Sequence, residues 1–314
     1  MKQLCFGVDI GGTAVKVGLF TSDGELLNKW SFATKRTGNG KDILKDVAAF
    51  IQDKIRELGL KTEELTGIGV GVPGPVKDNG EVLELPNLGL GHFNIEEELK
   101  ELTGFRVKAG NDANVAALGE QWQGSGKGYQ NMVLITLGTG VGGGIILNGN
   151  ILAGSNGAAG EIGHILVNEG ERDRCGCGKT GCLEQYASAT GIVRITKGRL
   201  AASKERSALR GARELSAKMV FDAAIAGDAF ALKAVEEACR YLGMACSHIA
   251  QVIDPQVFVI GGGVSKAGAI LTDTVKKYYE KNVMNALKNK EFRLAALGND
   301  AGIYGSARLI LASK

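Results

Sequence analysis

With 314 residues, 44% of them hydrophobic and 23% charged, the chain has the composition of a soluble globular protein of one or two domains. Lysine plus arginine exceeds aspartate plus glutamate by only 37 to 34, a balance too even to favour nucleic acid or an acidic membrane surface as partner. No apolar run reaches transmembrane length and no signal-like segment precedes the first glycines. The expected location is therefore the cytoplasm, where thiols stay reduced and clustered cysteines point to metal or catalysis rather than disulfides.

In chain order, "LCFGVDI" reads as a buried strand, and "KVGLF", the turn "TSDGE" and "LLNKWSF" continue it as a β-meander. Residues 42–58 have helical apolar spacing behind an N-terminal acid. "LTGIGVGVPG" is a strand ending in a Gly-Pro turn, "IEEELKEL" a helix, "RVKAGND" a strand, and "NVAALGEQW" opens another helix. The pattern then repeats: "MVLITLGTGVGGGIILNGNIL" is strand, glycine turn, strand, tight turn, strand. A shift of 127 positions lays Gly11 on Gly138 and Leu19–Phe20 on Ile146–Leu147. The helical stretch 228–253, the strand and glycine turn "VFVIGGGVS" and a final helix "AGIYGSARLILA" complete the chain. Two such meanders predict a duplicated α/β fold with a cleft between the halves.

The 47 glycines gather at predicted strand ends, where the backbone must approach something closely. "LGTGVGG" contains a G-x-G-x-x-G match, but a strand follows it, so it fails as a dinucleotide loop; "GKT" at 178–180 fails as a P-loop because Asp173 stands where the first glycine belongs. Hairpin turns of bare glycine can still present backbone N–H groups to phosphate oxygens. Asp9 at the end of the first strand is placed to hold a magnesium ion, directly or through water, with the Thr13 hydroxyl and the Lys16 charge beside it.

Asn111 and Asp112 stand between a strand and a helix, where Asp112 serves either as helix cap or as catalytic base. Glu161, His164 and Glu184 follow; with Asn111 and Asp112 they form a set of amide and charged groups suited to a polyhydroxylated small molecule. Cys175, Cys177 and Cys182, with His164 upstream, make a Cys₃His set with the composition of a closed, structural zinc site. Such an ion fixes the loop, and with it His164 and Glu184, instead of activating water. Cys5, Cys239 and Cys246 read as core residues.

Together, "DIGGTAVK", "GVPGPV", "GNDANVAALGE", "LGTGVGGG", "GEIGH", "CGCGKTGCLE" and "VIGGGVS" resemble the ROK family of sugar kinases and sugar-responsive repressors, in order and across nearly the whole chain, most of all its zinc-containing bacterial glucokinases. The resemblance implies the actin-like ATPase (ribonuclease H-like, duplicated) fold. It divides the chain into a small lobe over residues 1–115, rejoined by a C-terminal helix at 301–314, and a large lobe over 116–300 carrying the zinc loop. It implies ATP- and Mg²⁺-dependent phosphorylation of glucose to glucose 6-phosphate, at the entry to glycolysis. Asp9, Gly11, Gly12, Thr13 and Lys16 then belong to the first phosphate loop, Gly138, Thr139 and Gly140 to the second, and Gly261, Gly262 and Gly263 lie by the adenosine. Asn111, Glu161, His164 and Glu184 match sugar-binding positions, Asp112 the base, and His164, Cys175, Cys177 and Cys182 the zinc ligands. A homodimer without nucleic-acid or membrane partners is implied as well. The alternatives are a kinase for another hexose, such as N-acetylmannosamine or fructose, and a sugar-sensing regulator. Family repressors carry a helix-turn-helix domain ahead of the first phosphate loop, for which the residues before Asp9 leave no room.

Overall fold

A computed structural model describes residues 3–35, 41–82 and 91–313. The chain forms β1 Leu4–Ile10, β2 Ala14–Thr21, β3 Leu26–Ala33, α1 Lys41–Leu58, β4 Leu65–Val72, β5 Glu81–Val82, β6 Phe93–Asn94, α2 Ile95–Thr103, β7 Val107–Asn111 and α3 Asp112–Gln123. It continues with β8 Met132–Leu137, β9 Val141–Leu147, β10 Asn150–Ile151, α4 Glu184–Ala187, α5 Ala189–Ala202, α6 Ala217–Ile225, α7 Ala229–Ile253, β11 Val257–Gly261, α8 Ala269–Asn282, β12 Glu291–Leu294 and α9 Ala301–Ala312. Every element expected from the sequence is present. The sequence reading offered nothing for α5, α6, α8 and β12, nor for the two-residue strands β5 and β6.

The repeat is real in topology. One five-stranded sheet runs β3-β2-β1-β4-β7 and the other β10-β9-β8-β11-β12. In each, a meander is continued by two parallel strands, β1∥β4∥β7 and β8∥β11∥β12. The 127-residue shift carries β1 onto β8 and β2 onto β9.

The chain divides into two compact units, residues 1–130, 144–160 and 297–314 in the first and 131–143 and 161–296 in the second. In the first, one sheet face buries Phe6, Val8, Val70 and Val72 under α1 and α2, through Ile43, Val47, Ile51, Ile95 and Leu99. Parallel strands buried on both faces read as such near-continuous Val/Ile runs. On the other face α9 lies unusually close. A Cβ at Gly69 would stand 1.7 Å from Ser306 O, and one at Gly305 would stand 1.5 Å from Val115 O in α3. Some glycines that the sequence reading associates with close backbone approach thus face this helix and not a ligand. In the second unit, α7 is buried on most sides, with Cys239 and Cys246 inside it, and packs on α6 and α8. Burial pushes the Cys239 thiol up to about 12, and Cys5 in β1 likewise, as inert core thiols.

Candidate active site and metal centre

In the first unit the expected site residues collect at the carboxyl edge of the parallel strands, the edge at which open α/β sheets bind ligands. Asp9 pairs in register with Gly71, and Asn111 with Val72. The β1–β2 turn is closed by Gly11 N–H donating to Ala14 O at 3.0 Å, and the Thr34 hydroxyl donates to Gly11 O at 2.7 Å. Thr13 is left exposed at its tip. Burial pushes the Asp9 carboxyl above its ordinary value, opposed by the Lys16 ammonium 3.3 Å away. Lys16 also donates to Asn299 O at 2.8 Å, so its charge is spent on Asp9 and on the approach to α9. Gly302 faces the same carboxylate, since a Cβ there would meet Asp9 Cγ at 2.7 Å.

The capping role left open for Asp112 falls to Asn111. Its Oδ1 accepts from the N–H groups of Ala113 and Asn114 at 3.0 and 3.2 Å, and its Nδ2 donates to Gly74 O at 3.2 Å. Asp112 is the first residue of α3, with Oδ1 accepting from Ala113 N–H at 2.7 Å. One side chain holds the helix end, and the other is set on a rigid strand–helix junction.

In the second unit the β8–β9 turn is closed by Gly138 N–H donating to Gly140 O at 3.0 Å. It rests on the start of α5, where Ala189 N–H donates to Gly138 O at 2.8 Å and the Thr190 hydroxyl to Thr139 O at 2.7 Å. Gly261 ends β11. Gly262 has φ 82°, and a Cβ there would lie 2.5 Å from Leu137 O, so this turn packs against the strand that feeds the other glycine loop. Nothing lies within 4 Å of a Cβ at Gly263. It opens on a cavity of about 380 Å³ lined by Ala189, Ser216, Phe221 and Val264.

The four expected metal ligands come together, with donor atoms all within 4.8 Å of one another. Cys175 Sγ lies 3.7 Å from His164 Nδ1, and Cys177 Sγ 3.6 Å from Cys182 Sγ. Zn–S and Zn–N bonds at tetrahedral angles set edges of about 3.6–3.8 Å, which these two separations match, and three thiols with an imidazole are the donor chemistry of a structural zinc site. His164 turns its other nitrogen, Nε2, toward Glu161 Oε2, 3.9 Å away. Glu184 connects this centre to the glycine turn: Oε1 accepts from the Cys175 thiol at 3.2 Å and Oε2 from Val141 N–H at 3.3 Å.

Sequence reasoning missed the scaffold of the cysteine loop. Arg194 on α5 binds Glu171 Oε2 at 2.6 Å and Asp173 Oδ2 at 3.3 Å, Tyr186 OH donates to Glu171 at 2.5 Å, and Gln185 holds Asp173 O at 2.8 Å. Partial burial pushes the Glu171 carboxyl up, but the hydrogen bonds from Arg194, Tyr186 and Asp173 N–H outweigh it and hold it at about 2. No spacing rule joins residues 171, 186 and 194. Glu120, wholly buried in α3, was also missed; it accepts from Leu297 N–H at 2.8 Å and Ser125 N–H at 2.9 Å.

Comparison with known proteins accords with this geometry. The pattern that defines the ROK family matches residues 5–313. The chain is 46% identical to a glucokinase of Halalkalibacterium halodurans over 97% of this chain and 94% of that one, and 38% identical to a glucokinase of Thermotoga maritima over 98% of each. Its structure is similar to that of a ROK family glucokinase from Streptomyces griseus in complex with glucose and AMPPNP, with a TM-score of 0.76 and 34% identity over 98% of each chain.

Proposed function

The chain belongs to the ROK family, and from that premise we propose that it transfers the γ-phosphoryl group of ATP to glucose, giving glucose 6-phosphate. The observation that carries the reading is 46% identity to a glucokinase along almost the full length of both chains. The placement of the acids and glycine turns at the carboxyl edges of parallel strands supports it.

Phosphoryl transfer needs positioning, charge neutralisation and a group to take the hydroxyl proton. Asp112 takes that proton, and Asn111, Glu161, His164 and Glu184 bind the sugar hydroxyls. The N–H groups of the turns at Gly11–Thr13 and Gly138–Gly140 bind phosphate oxygens, and the cavity by Gly261–Gly263 takes the adenosine. Asp9 would hold Mg²⁺, directly or through water, and the ion when bound offsets charge on the phosphates. His164, Cys175, Cys177 and Cys182 would hold a structural zinc ion that fixes the loop bearing Glu184. His164 then presents its free nitrogen to the sugar in a fixed tautomer. The enzyme so described acts in the cytoplasm as a homodimer, in line with its unpaired thiols and its resemblance to the family.

The test is a panel of hexoses with ATP, scored by kcat/KM. Glucose is expected to exceed mannose, fructose, N-acetylglucosamine and N-acetylmannosamine by at least about tenfold, a difference of about 1.4 kcal/mol in transition-state binding. A larger kcat/KM for any of the others reassigns the substrate.

A further inference from the structure

The cavity of about 380 Å³ beside Gly263 is apolar where it is enclosed and polar only where it meets water. Ala189, Ala217, Phe221, Val264 and Ala267 form its apolar walls, all within the second unit. The polar side chains on the lining are Ser216, Lys218, Asp222 and Lys266. Lys218 and Asp222 pair with each other at 2.5 Å, and at 82% and 56% exposure the pair stands in solvent, where it discriminates little. Ser216 caps α6, its Oγ accepting from Met219 N–H at 3.3 Å, so the hydroxyl has its hydrogen left to donate. Lys266 is exposed and can only donate. Among the described residues, no enclosed side chain on this lining carries an amide or a carboxylate.

We propose that this site takes purine nucleoside triphosphates as a class, GTP and ITP serving as phosphoryl donors beside ATP. The inference rests on the phosphoryl-transfer reading above, which puts the adenosine here. Adenine carries an amino donor at C6, where guanine and hypoxanthine carry a carbonyl acceptor. Telling them apart needs an enclosed group of fixed polarity facing that atom. Lys266 and the Ser216 hydroxyl donate, which suits the carbonyl of guanine or hypoxanthine as well as a ring nitrogen of adenine. The first N–H groups of α6 and of the 3₁₀ turn Gly263–Ala267 border the cavity and suit N3 and N7, atoms common to the three bases. An apolar pocket separates such close analogues by about a hundredfold at most, whereas a site that hydrogen-bonds the distinguishing group separates them by about 10⁴-fold or more. The step is the same for each donor. The bond from Pγ to the β–γ bridging oxygen breaks, a bond to the sugar oxygen forms, the hydroxyl proton passes to Asp112 and the nucleoside diphosphate leaves. The base is remote from the reacting atoms, so any preference falls on KM and not on kcat.

The test gives the full chain ATP, GTP and ITP in turn, with Mg²⁺ and saturating glucose, and measures the sugar phosphate formed. The kcat/KM values for GTP and ITP are expected to lie within about a hundredfold of that for ATP, with kcat alike for the three. Ala267→Phe, which puts a ring into the cavity from a half-buried position, is expected to raise the KM of all three nucleotides by a similar factor. An ATP preference of more than about a hundredfold over either of the others overturns the proposal and leaves the glucokinase reading standing. So do nucleotide KM values that Ala267→Phe does not move; if that variant fails to fold, the wild-type ratios alone decide. Sugar phosphate from none of the three overturns the glucokinase reading, and this proposal with it.

Discussion

Asn111 and Asp112 are neighbours with opposite duties. Asn111 Oδ1 caps the helix and its Nδ2 donates to Gly74 O, while the Asp112 carboxylate, whose Oδ1 accepts from Ala113 N–H, stands on the first turn of α3 as the proposed base. Asp112→Asn keeps the shape and removes the base. Turnover is expected to fall by at least about a hundredfold with the KM for glucose little changed, as steady-state kinetics would show. Asp9 keeps a buried carboxyl that, on the proposed reading, serves the magnesium ion. Its carboxyl titrates above the ordinary value because burial disfavours the anion, so its protonated form favours the fold. That contribution is complete below the unfolded value of 3.8 and is lost as pH rises through the higher folded value. Thermal melts of the ligand-free protein should accordingly show Asp9→Asn more stable than wild type at neutral pH, the gap closing below about pH 4. The same variant should lose ATP-dependent turnover.

At the scale of elements, the cysteine loop is held by Arg194 with Glu171 and Tyr186, and the proposed zinc ion on its four donors would hold it a second time. Binding energy for the ion is folding energy for the loop. Cys177→Ala, or chelation, is therefore expected to increase hydrogen exchange across residues 161–186 and to raise the KM for glucose. ATP binding measured separately should persist. The turn at Gly262 makes a sharper prediction. Alanine there would need a left-handed φ and would sit 2.5 Å from Leu137 O, so Gly262→Ala should cost about 2 kcal/mol or more by denaturant unfolding. These two elements also mark how far the sequence could be read. The cysteine spacing pointed to the donor groups that the structure brings within 4.8 Å of one another, because thiolate chemistry is local and short-range. The glycine strings gave the turns, but Gly69 owes its identity to α9 pressing on the sheet and Gly305 to α3 pressing on α9, contacts between segments far apart in the chain. Arg194 and Glu120 were unreadable because no spacing rule connects them to their partners, Glu171 and Asp173 for the one and Ser125 and Leu297 for the other. Helices α5, α6 and α8 escaped notice because no chemistry-bearing motif drew attention to them.

At the scale of the molecule, one pattern is used twice. Each sheet continues a meander with two parallel strands, and each places glycine turns and polar residues at their carboxyl edge. The duplication was readable from a 127-residue shift because it preserves the turns, where glycine is required, better than the strands, where any β-branched residue serves. The first unit carries Asp9, Asn111 and Asp112, and the second carries the cluster of His164, Cys175, Cys177 and Cys182 and the cavity beside Gly263. The central claim is that this arrangement phosphorylates glucose with Asp112 as base. It is tested most directly by phosphorus NMR of the purified protein with ATP, Mg²⁺ and glucose, followed in time beside Asp112→Asn. The account predicts a glucose 6-phosphate signal growing as the γ-phosphate signal of ATP falls, slowed at least about a hundredfold in the variant. Loss of γ-phosphate to inorganic phosphate without a sugar phosphate, or equal rates in the two proteins, would contradict it.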